Sequence, residues 1–262
     1  AHWTLSDRNP DCTADLHAPG TRTLRWLMRR ISIVIPVHNE ASFLEAACDQ
    51  LLPSLASVDA QVSVLLVENG STDETLAIAR RLQHPSLSVI SLAAADYGAA
   101  MRAGFTASAD SDWVVNFDID YFSVPFVVNL LDSVSDVVIA SKRAPGSDDR
   151  RSVLRRTGTL TFNMLLRLLF GSRVSDTHGI KGFRGQVVRE LVPKVIRDQD
   201  LFDTELVLRA EKAGFRITEV PIVVEELRAA RSSFIRRVPR TVSGLIQLRR
   251  SLSMERRNTK SR

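Results

Sequence analysis

Four short apolar runs, residues 31–37, 62–67, 87–92 and 113–117, alternate with segments whose apolar residues recur at helical spacing. Runs of this length, rich in β-branched and aromatic residues, read as buried strands. The segments between them are long enough for right-handed crossovers. The expected fold is therefore α/β, a mostly parallel, Rossmann-like central sheet flanked by helices in a single domain. In such a sheet the strand carboxyl ends lie along one edge, where ligands bind. The first run ends in His38-Asn39-Glu40, the second in Glu68-Asn69-Gly70 and the fourth in Asp118-Ile119-Asp120. Glu40, Glu68, Asn69, Asp118 and Asp120 are thus expected to converge although they are far apart in the chain. Two carboxylates spaced two residues apart can each lend an oxygen to a hard divalent cation, which leaves coordination positions for a diphosphate. The competing reading of Asp118 and Asp120 is an acidic turn that closes a strand.

The intervening segments carry helix signals. Phe43, Leu44, Ala47, Cys48, Leu51 and Leu52 fall on one helical face. Ser71 with Glu74 reads as a capping box for a helix through Leu82. Helices are expected over 98–108, 124–133 and 153–170, with a fifth strand over 137–140. Residues 176–184, rich in glycine and polar side chains, read as a site loop rather than a core element. Asp203 reads as the cap of a helix through Ala213, with Gly214 at its C′ position. Residues 217–224 read as one or two short strands broken at Pro221.

A chain of 262 residues with 44% hydrophobic and 25% charged residues suits one globular core. Residues 1–30 read as a mobile arm, with a short helix near Leu24 to Met28; 31–227 read as the domain and 228–262 as a basic tail. The net charge of +5 is uneven. From Arg228 onward eleven Lys and Arg stand against Glu255 alone, so the tail seeks an anionic surface while the remainder is mildly acidic. Phe234, Ile235, Val238, Val242, Leu245, Ile246 and Leu248 alternate with arginines there. Pro239 is expected to interrupt the first turn, and residues 241–252 to form an amphipathic helix. That helix either lies in the headgroup plane of a membrane or packs on the domain. Nucleic acid is not an expected partner, because the tail lacks interleaved aromatic stacking positions. Cys12 and Cys48 form neither a disulfide framework nor a zinc pattern. The most apolar stretch, 160–170, is short and contains Arg167, and no signal-peptide pattern is present. The expected location is cytoplasmic, peripheral on the inner face of a membrane.

The residues 34–40 (Val-Ile-Pro-Val-His-Asn-Glu), 67–73 (Val-Glu-Asn-Gly-Ser-Thr-Asp), Gly98-Ala99-Ala100 through Gly104, and Asp118-Ile119-Asp120 together resemble family 2 glycosyltransferases of the GT-A fold. Residues 138–143, 176–184 and 202–206 are similar to the dolichyl-phosphate mannose synthase branch. The resemblance covers about residues 31–235. It implies inverting transfer of a hexose, with mannose from GDP-mannose the leading candidate, from a nucleoside diphosphate sugar to a polyprenyl phosphate, assisted by Mg²⁺ or Mn²⁺. It implies that Pro36, Asn39, Glu40, Glu68, Asn69 and Gly98 border the nucleotide sugar, and that Asp118 and Asp120 hold the metal on the diphosphate. Lys142, Arg155 and Arg156 would bind the acceptor phosphate, with Arg231 and Ser233 in an acceptor-side lid. The chain departs from the family pattern at Glu68-Asn69, where paired aspartates are usual, and at Asp96-Tyr97, where Gly-Lys or Gly-Arg is common. It departs again at Tyr121-Phe122-Ser123 and at His178-Gly179.

The acceptor decides which catalytic groups are needed. Lys142, Arg143, Arg150, Arg151, Arg155 and Arg156 cluster in and after the loop that follows the fifth strand, and guanidinium groups clamp phosphate oxygens through paired hydrogen bonds. A phosphate oxygen is already anionic and needs no strong base. A sugar hydroxyl would need a carboxylate within reach, for which Asp203 and Glu205 are the candidates. A soluble hydroxyl acceptor is therefore the alternative reading, and a non-catalytic nucleotide-sugar-binding scaffold a lesser one.

Overall fold

The computed structural model describes residues 29–150, 152–177, 179–196, 201–224 and 234–260. Residues 1–28 of the expected amino-terminal arm, with the helix near Leu24 to Met28, lie outside the described residues, as do Arg151, His178, Arg231 and Ser233; Arg30, placed in that arm, instead begins the first strand. A seven-stranded sheet forms the centre, in the order β3-β2-β1-β4-β7-β5-β8. Its strands are β1 (Arg30–Val37), β2 (Gln61–Asn69), β3 (Leu87–Leu92), β4 (Trp113–Asn116), β5 (Val137–Ser141), β7 (Lys181–Arg184) and β8 (Ile217–Pro221). A second, two-stranded sheet pairs β6 (Asp148–Asp149) with β9 (Val223–Val224). Helices α1 (Leu44–Leu55), α2 (Thr75–Arg81), α3 (Tyr97–Ala107), α4 (Val124–Leu131), α5 (Val153–Phe170), α6 (Gly185–Leu191), α7 (Phe202–Ala213) and α8 (Phe234–Lys260) complete the described elements, with one 3-10 turn at Val192–Lys194.

Strand periodicity assigns the two faces of the sheet. From β1, Ile31, Ile33, Ile35 and Val37 enter one core with Leu44, Leu51 and Cys48 of α1, Ile78 of α2 and Phe126 of α4. Val34 enters the other, with Met101 and Phe105 of α3, Val187 of α6 and Phe202 and Leu206 of α7. The Cys48 thiol is buried, and burial together with Asp49 pushes it up to about 11. Helix α3 lies close on the sheet because Gly104 has no side chain; a Cβ there would stand 2.3 Å from Val34 Cγ1.

The structure corrects several local expectations. The segment 176–184 is a loop only in its first half. Lys181–Arg184 is a strand, antiparallel to both β4 and β5, and it supplies the sheet's only reversed member among the described strands. Burying Ile180 and Phe183 outweighs the glycine-rich composition of this stretch. The capping box at Ser71 and Glu74 does not form. Helix α2 starts at Thr75, whose N–H donates to Asp73 Oδ1, while the Ser71 hydroxyl accepts from Asn39 N instead. Asp203 is inside the first turn of α7 rather than its cap, which is Leu201. Gly214 does close that helix, at φ 84°.

Helix α8 is continuous through Pro239 and longer than the expected 241–252. Pro239 lies inside the helix, where its missing N–H forfeits one i→i−4 hydrogen bond without ending the helix. The apolar face of α8 packs on the domain: Leu245, Leu248 and Leu252 join Leu166 of α5 and Leu201 and Leu208 in a third core cluster. Arg209 of α7 clamps this arrangement, donating to Glu205 Oε1 at 2.7 Å and to both oxygens of Glu255 on α8 at 3.0 Å. Glu205 is fully buried, whereas the Glu255 side chain is half exposed. Removing a buried partner leaves an uncompensated charge, but an exposed pair contributes little. Arg209→Met is therefore expected to lower unfolding free energy by about 3–5 kcal/mol. Glu255→Gln should cost under about 1 kcal/mol. Urea denaturation followed by circular dichroism measures both.

Candidate active site

The parallel register builds the site edge. Val37 of β1 lies opposite Glu68 of β2, and Val34 lies opposite Asn116 of β4. Asp118 therefore emerges level with Pro36, one strand away from the His38-Asn39-Glu40 loop. Ile119 is buried in the core, whereas Asp118 is exposed and Asp120 half-buried at the edge of the sheet. Tyr121 N donates to Asp118 O and closes the turn. The Tyr121 hydroxyl donates to Val223 O, and Phe122 packs against Phe117. The aromatic departure after Asp120 thus anchors the acidic turn to β9 and to the core.

Asp118 and Asp120 face one another electrostatically. The Asp118 carboxyl is pushed up to about 6, first by the protein packed around it, then by the charges of Asp120 and Asp203, with Lys181 and Lys142 pulling the other way. Asp118 is nevertheless open to solvent. Crowding by like charge is therefore the firmer cause of the shift. Two hard carboxylates held close at the carboxyl edge of the sheet repel one another, and a divalent cation would relieve that repulsion. Among the described residues no third His, Cys, Asp or Glu completes a closed ligand cluster. Such a pair leaves room for oxygens from a bound phosphate.

Asp203 joins this cleft from α7. Its Oδ2 accepts from Tyr97 Oη at 3.0 Å and from Lys181 Nζ at 3.1 Å. Lys181, fully buried at the start of β7, also donates through Nζ to Gly179 O at 2.6 Å. Asn116 holds the same corner, with Oδ1 accepting from Lys181 N and Nδ2 donating to Gly179 O. Sequence reasoning treated Lys181 as part of a polar loop and Tyr97 only as a departure. The signal for Lys181 was a single charge inside the apolar stretch Ile180-Lys181-Gly182-Phe183.

The other expected residues divide into those that line the edge and those that tie it together. Pro36, Asn39 and Glu40 are half-buried beside the cleft. Asn39 adopts φ 54°, and its Oδ1 accepts from Thr72 N at 2.8 Å. Glu40 N donates to Thr75 Oγ1, and Glu40 O accepts from Leu44 N at the start of α1. Glu68 is 1% exposed, and both oxygens serve neighbouring loops: Oε1 accepts from Ser71 N and Oε2 from Ser91 Oγ. Asn69 Oδ1 accepts from Asp96 N, and Asn69 O bonds His38 Nδ1. Asp96 in turn caps α3 by accepting from Ala99 N. Gly98 is buried in the first turn of α3. The Glu68-Asn69 pair therefore stitches together the loops after β1, β2 and β3.

On the acceptor side, Lys142 follows β5, and its Nζ pairs with the fully buried Asp176 at 2.9 Å. Arg150 pairs with Asp148 at the surface, and Arg156 is exposed in the first turn of α5. Of Arg155 only the backbone is described. Glu205, the second candidate base, is consumed by Arg209 and by Ile196 N and lies away from solvent.

A mostly parallel seven-stranded sheet of this order, with an acidic turn at its carboxyl edge, is a fold of the GT-A type. The chain belongs to glycosyl transferase family 2, whose family model matches residues 32–192. It is accordingly an enzyme that transfers sugar, and the scaffold alternative gives way. Among curated relatives, glycosyltransferase AglD of Haloferax volcanii is 30% identical over 73% of this chain, which spans only 32% of that protein. Undecaprenyl-phosphate mannosyltransferase of Micrococcus luteus is 29% identical over 75% of this chain and 84% of its own length. Among solved structures, glucosyl-3-phosphoglycerate synthase of Mycobacterium tuberculosis aligns with a TM-score of 0.64 at 22% identity. The alignment covers 91% of this chain and 85% of that one, and the likeness is one of fold.

Burial alone would raise the Glu68 carboxyl, but the bonds from Ser91 and Ser71 more than offset it and hold the group below its usual range. A depressed carboxylate contributes stability that is complete above its unfolded value and is lost as pH falls through its folded value. Glu68→Gln is thus expected to destabilise by about 1–3 kcal/mol at pH 7. The difference from the parent should shrink below about pH 4. Thermal melts across pH 3–7 would read it, and a difference independent of pH would contradict the assignment.

Proposed function

We propose that the protein is an inverting transferase moving a hexose, with mannose from GDP-mannose as the leading candidate, onto a polyprenyl phosphate. The observation that supports this reading is the convergence of Asp118, Asp120, Asp203, Lys181 and Lys142 at the carboxyl edge of the sheet. The named activity of the Micrococcus luteus relative supports the acceptor class. Asp118 and Asp120 would hold Mg²⁺ or Mn²⁺, which fits the crowding of their like charges. When bound, such an ion acts as a Lewis acid that neutralises charge gathering on the departing nucleoside diphosphate.

The remaining roles fall to side chains. Pro36, Asn39 and Glu40 border the nucleoside, with Gly98 on the far side of the same edge. Glu68 and Asn69 act by fixing the loops that frame it. Arg156, exposed in the first turn of α5, would meet an acceptor phosphate, and Lys142 could do so only by sharing itself with Asp176. Arg155, Arg231 and Ser233 complete the acceptor set by family resemblance. A phosphate oxygen attacks without losing a proton, so no base is required. Asp203 is already committed through Oδ2 to Tyr97 and Lys181, which favours the phosphate acceptor over a hydroxyl acceptor that would need Asp203 as its base.

Incubation with Mn²⁺, labelled nucleotide sugars and polyprenyl phosphate should give a lipid product that is stable to alkali and labile to acid. Asp120→Ala should cut turnover by at least about a hundredfold while leaving the melting temperature near that of the parent. No lipid product from any donor, or transfer to a water-soluble hydroxyl that Asp203→Asn abolishes, would overturn the reading.

A further inference from the structure

The end of the sheet opposite the acidic turn carries a second concentration of charge. Arg30 begins β1, Arg184 ends the antiparallel strand β7, Arg189 lies on α6 and Arg216 stands just before β8. All four line one cavity of about 560 Å³. Val134 is the only large apolar side chain among its described lining residues. Gly185 lets the backbone approach closely there, since a Cβ would stand 2.1 Å from Ser111 O and 3.1 Å from Arg189 Nη1.

The guanidinium groups are held in place, but mostly by neutral partners. Arg184 donates from Nη2 to Ser133 O at 2.6 Å and lies 4.1 Å from the ring centre of the fully buried Trp113. Arg30 and Arg189 donate to the consecutive carbonyls Asp110 O and Ala109 O. A carbonyl orients a guanidinium without cancelling its charge, and a fork of five N–H groups has donors to spare. Among the described residues only Arg216 pairs with a carboxylate here, Asp136 at 3.6 Å. The acids of the cavity serve the strand starts instead. Asp112 Oδ2 accepts from Arg30 N, and Asp136 Oδ2 accepts from Arg216 N. Asp110 is exposed, where water screens its charge. Four arginines, with Arg29 close enough to act on Arg184, thus stand against three aspartates. Burial and then the charge of Arg29 hold the Arg184 guanidinium below its usual range, against the pull of Asp112 and Asp136.

We infer that this cavity is a binding site for a small, multiply charged anion of the phosphate class, clasped by Arg30, Arg184, Arg189 and Arg216. Guanidinium forks match phosphate oxygens through paired hydrogen bonds, and forks already oriented lose little freedom on binding. A lining almost free of apolar side chains suits a free anion rather than a lipid or an apolar peptide segment. The site is separate from the catalytic edge. Strand β4 runs from Trp113, beneath Arg184, to Asn116, and β7 runs from Lys181 to Arg184. The length of both strands, about 10–13 Å, therefore lies between the two.

Isothermal titration calorimetry of the full chain with pyrophosphate tests the site, in EDTA so that the acidic pair has no metal. The parent should bind with a Kd below about 1 mM. Arg189→Gln with Arg216→Gln should weaken binding at least about tenfold. The melting temperature of that variant should stay near that of the parent, because both side chains are exposed. Asp110→Asn removes a competing charge from the same rim and should tighten binding about two- to fivefold, a gain that misfolding does not produce. Asp120→Ala at the acidic turn and Arg156→Gln on α5 should stay within about twofold of the parent. No binding of pyrophosphate by the parent at millimolar concentration would overturn the proposal. So would a double variant that binds within about twofold of the parent. Loss of binding in Asp120→Ala or Arg156→Gln would also overturn it, by putting the anion at the catalytic edge. Every arm omits metal and sugar donor, so failure here leaves the transferase reading standing.

Discussion

Like charge is forced together at the carboxyl edge of this sheet, and much of the surrounding structure answers that constraint. The register of β1 with β2 and β4 leaves no choice about where Glu68, Asp118 and Asp120 emerge. Helix α7 brings Asp203 to the same place. Carboxylates that repel one another at close range cost free energy unless cations or hydrogen bonds offset them. The fold offsets part of that cost with Lys181 and Lys142, both nearly or wholly buried, while Asp118 stays exposed and Asp120 half-buried.

Two supports keep the unfavourable arrangement in place. One is the clasp of loops after β1, β2 and β3, in which Asn39, Glu68, Asn69, Ser71 and Asp73 exchange hydrogen bonds with backbone groups from strands far apart in sequence. The other is the Tyr97–Asp203–Lys181 junction, which joins α3, α7 and β7 beneath the acidic turn. Asp96-Tyr97, a departure from the usual family pattern, thereby acquires a structural reason. Asp96 caps α3 and Tyr97 reaches Asp203, so the carboxylate is held by a neutral donor and a buried lysine together. Beyond α7, the Arg209 clamp extends the same chain of contacts to α8, so the basic tail is tied to the element that carries Asp203.

The parallel strands β1 to β4 and the span of α5 were legible because they follow from strand periodicity, parallel crossovers and helical spacing. What escaped the sequence was set by long-range contacts. Lys181–Arg184 looked like loop because its glycine and polar residues carry no strand signal of their own; pairing with β4 on one side and β5 on the other makes it central. Ser71 and Glu74 match a capping box in spacing, but Asn39 competes for Ser71 across thirty-two positions in the chain. Glu68 and Asn69 were placed correctly at the edge, yet spacing could not show that their polar atoms turn toward neighbouring loops. For the tail, composition suggested an amphipathic helix without saying which surface would take its apolar face. The leucines of α5 and α7 take it.

The central claim is that Asp118 and Asp120 together hold a divalent ion on the diphosphate of the donor. The most direct measurement is a crystal structure of the protein with Mn²⁺ and a nucleoside diphosphate, with anomalous scattering locating the metal. One manganese bonded to both carboxylates and to diphosphate oxygens is the predicted result. A nucleotide bound at this edge with the manganese elsewhere, or with Asp118 and Asp120 turned away from it, would contradict the claim.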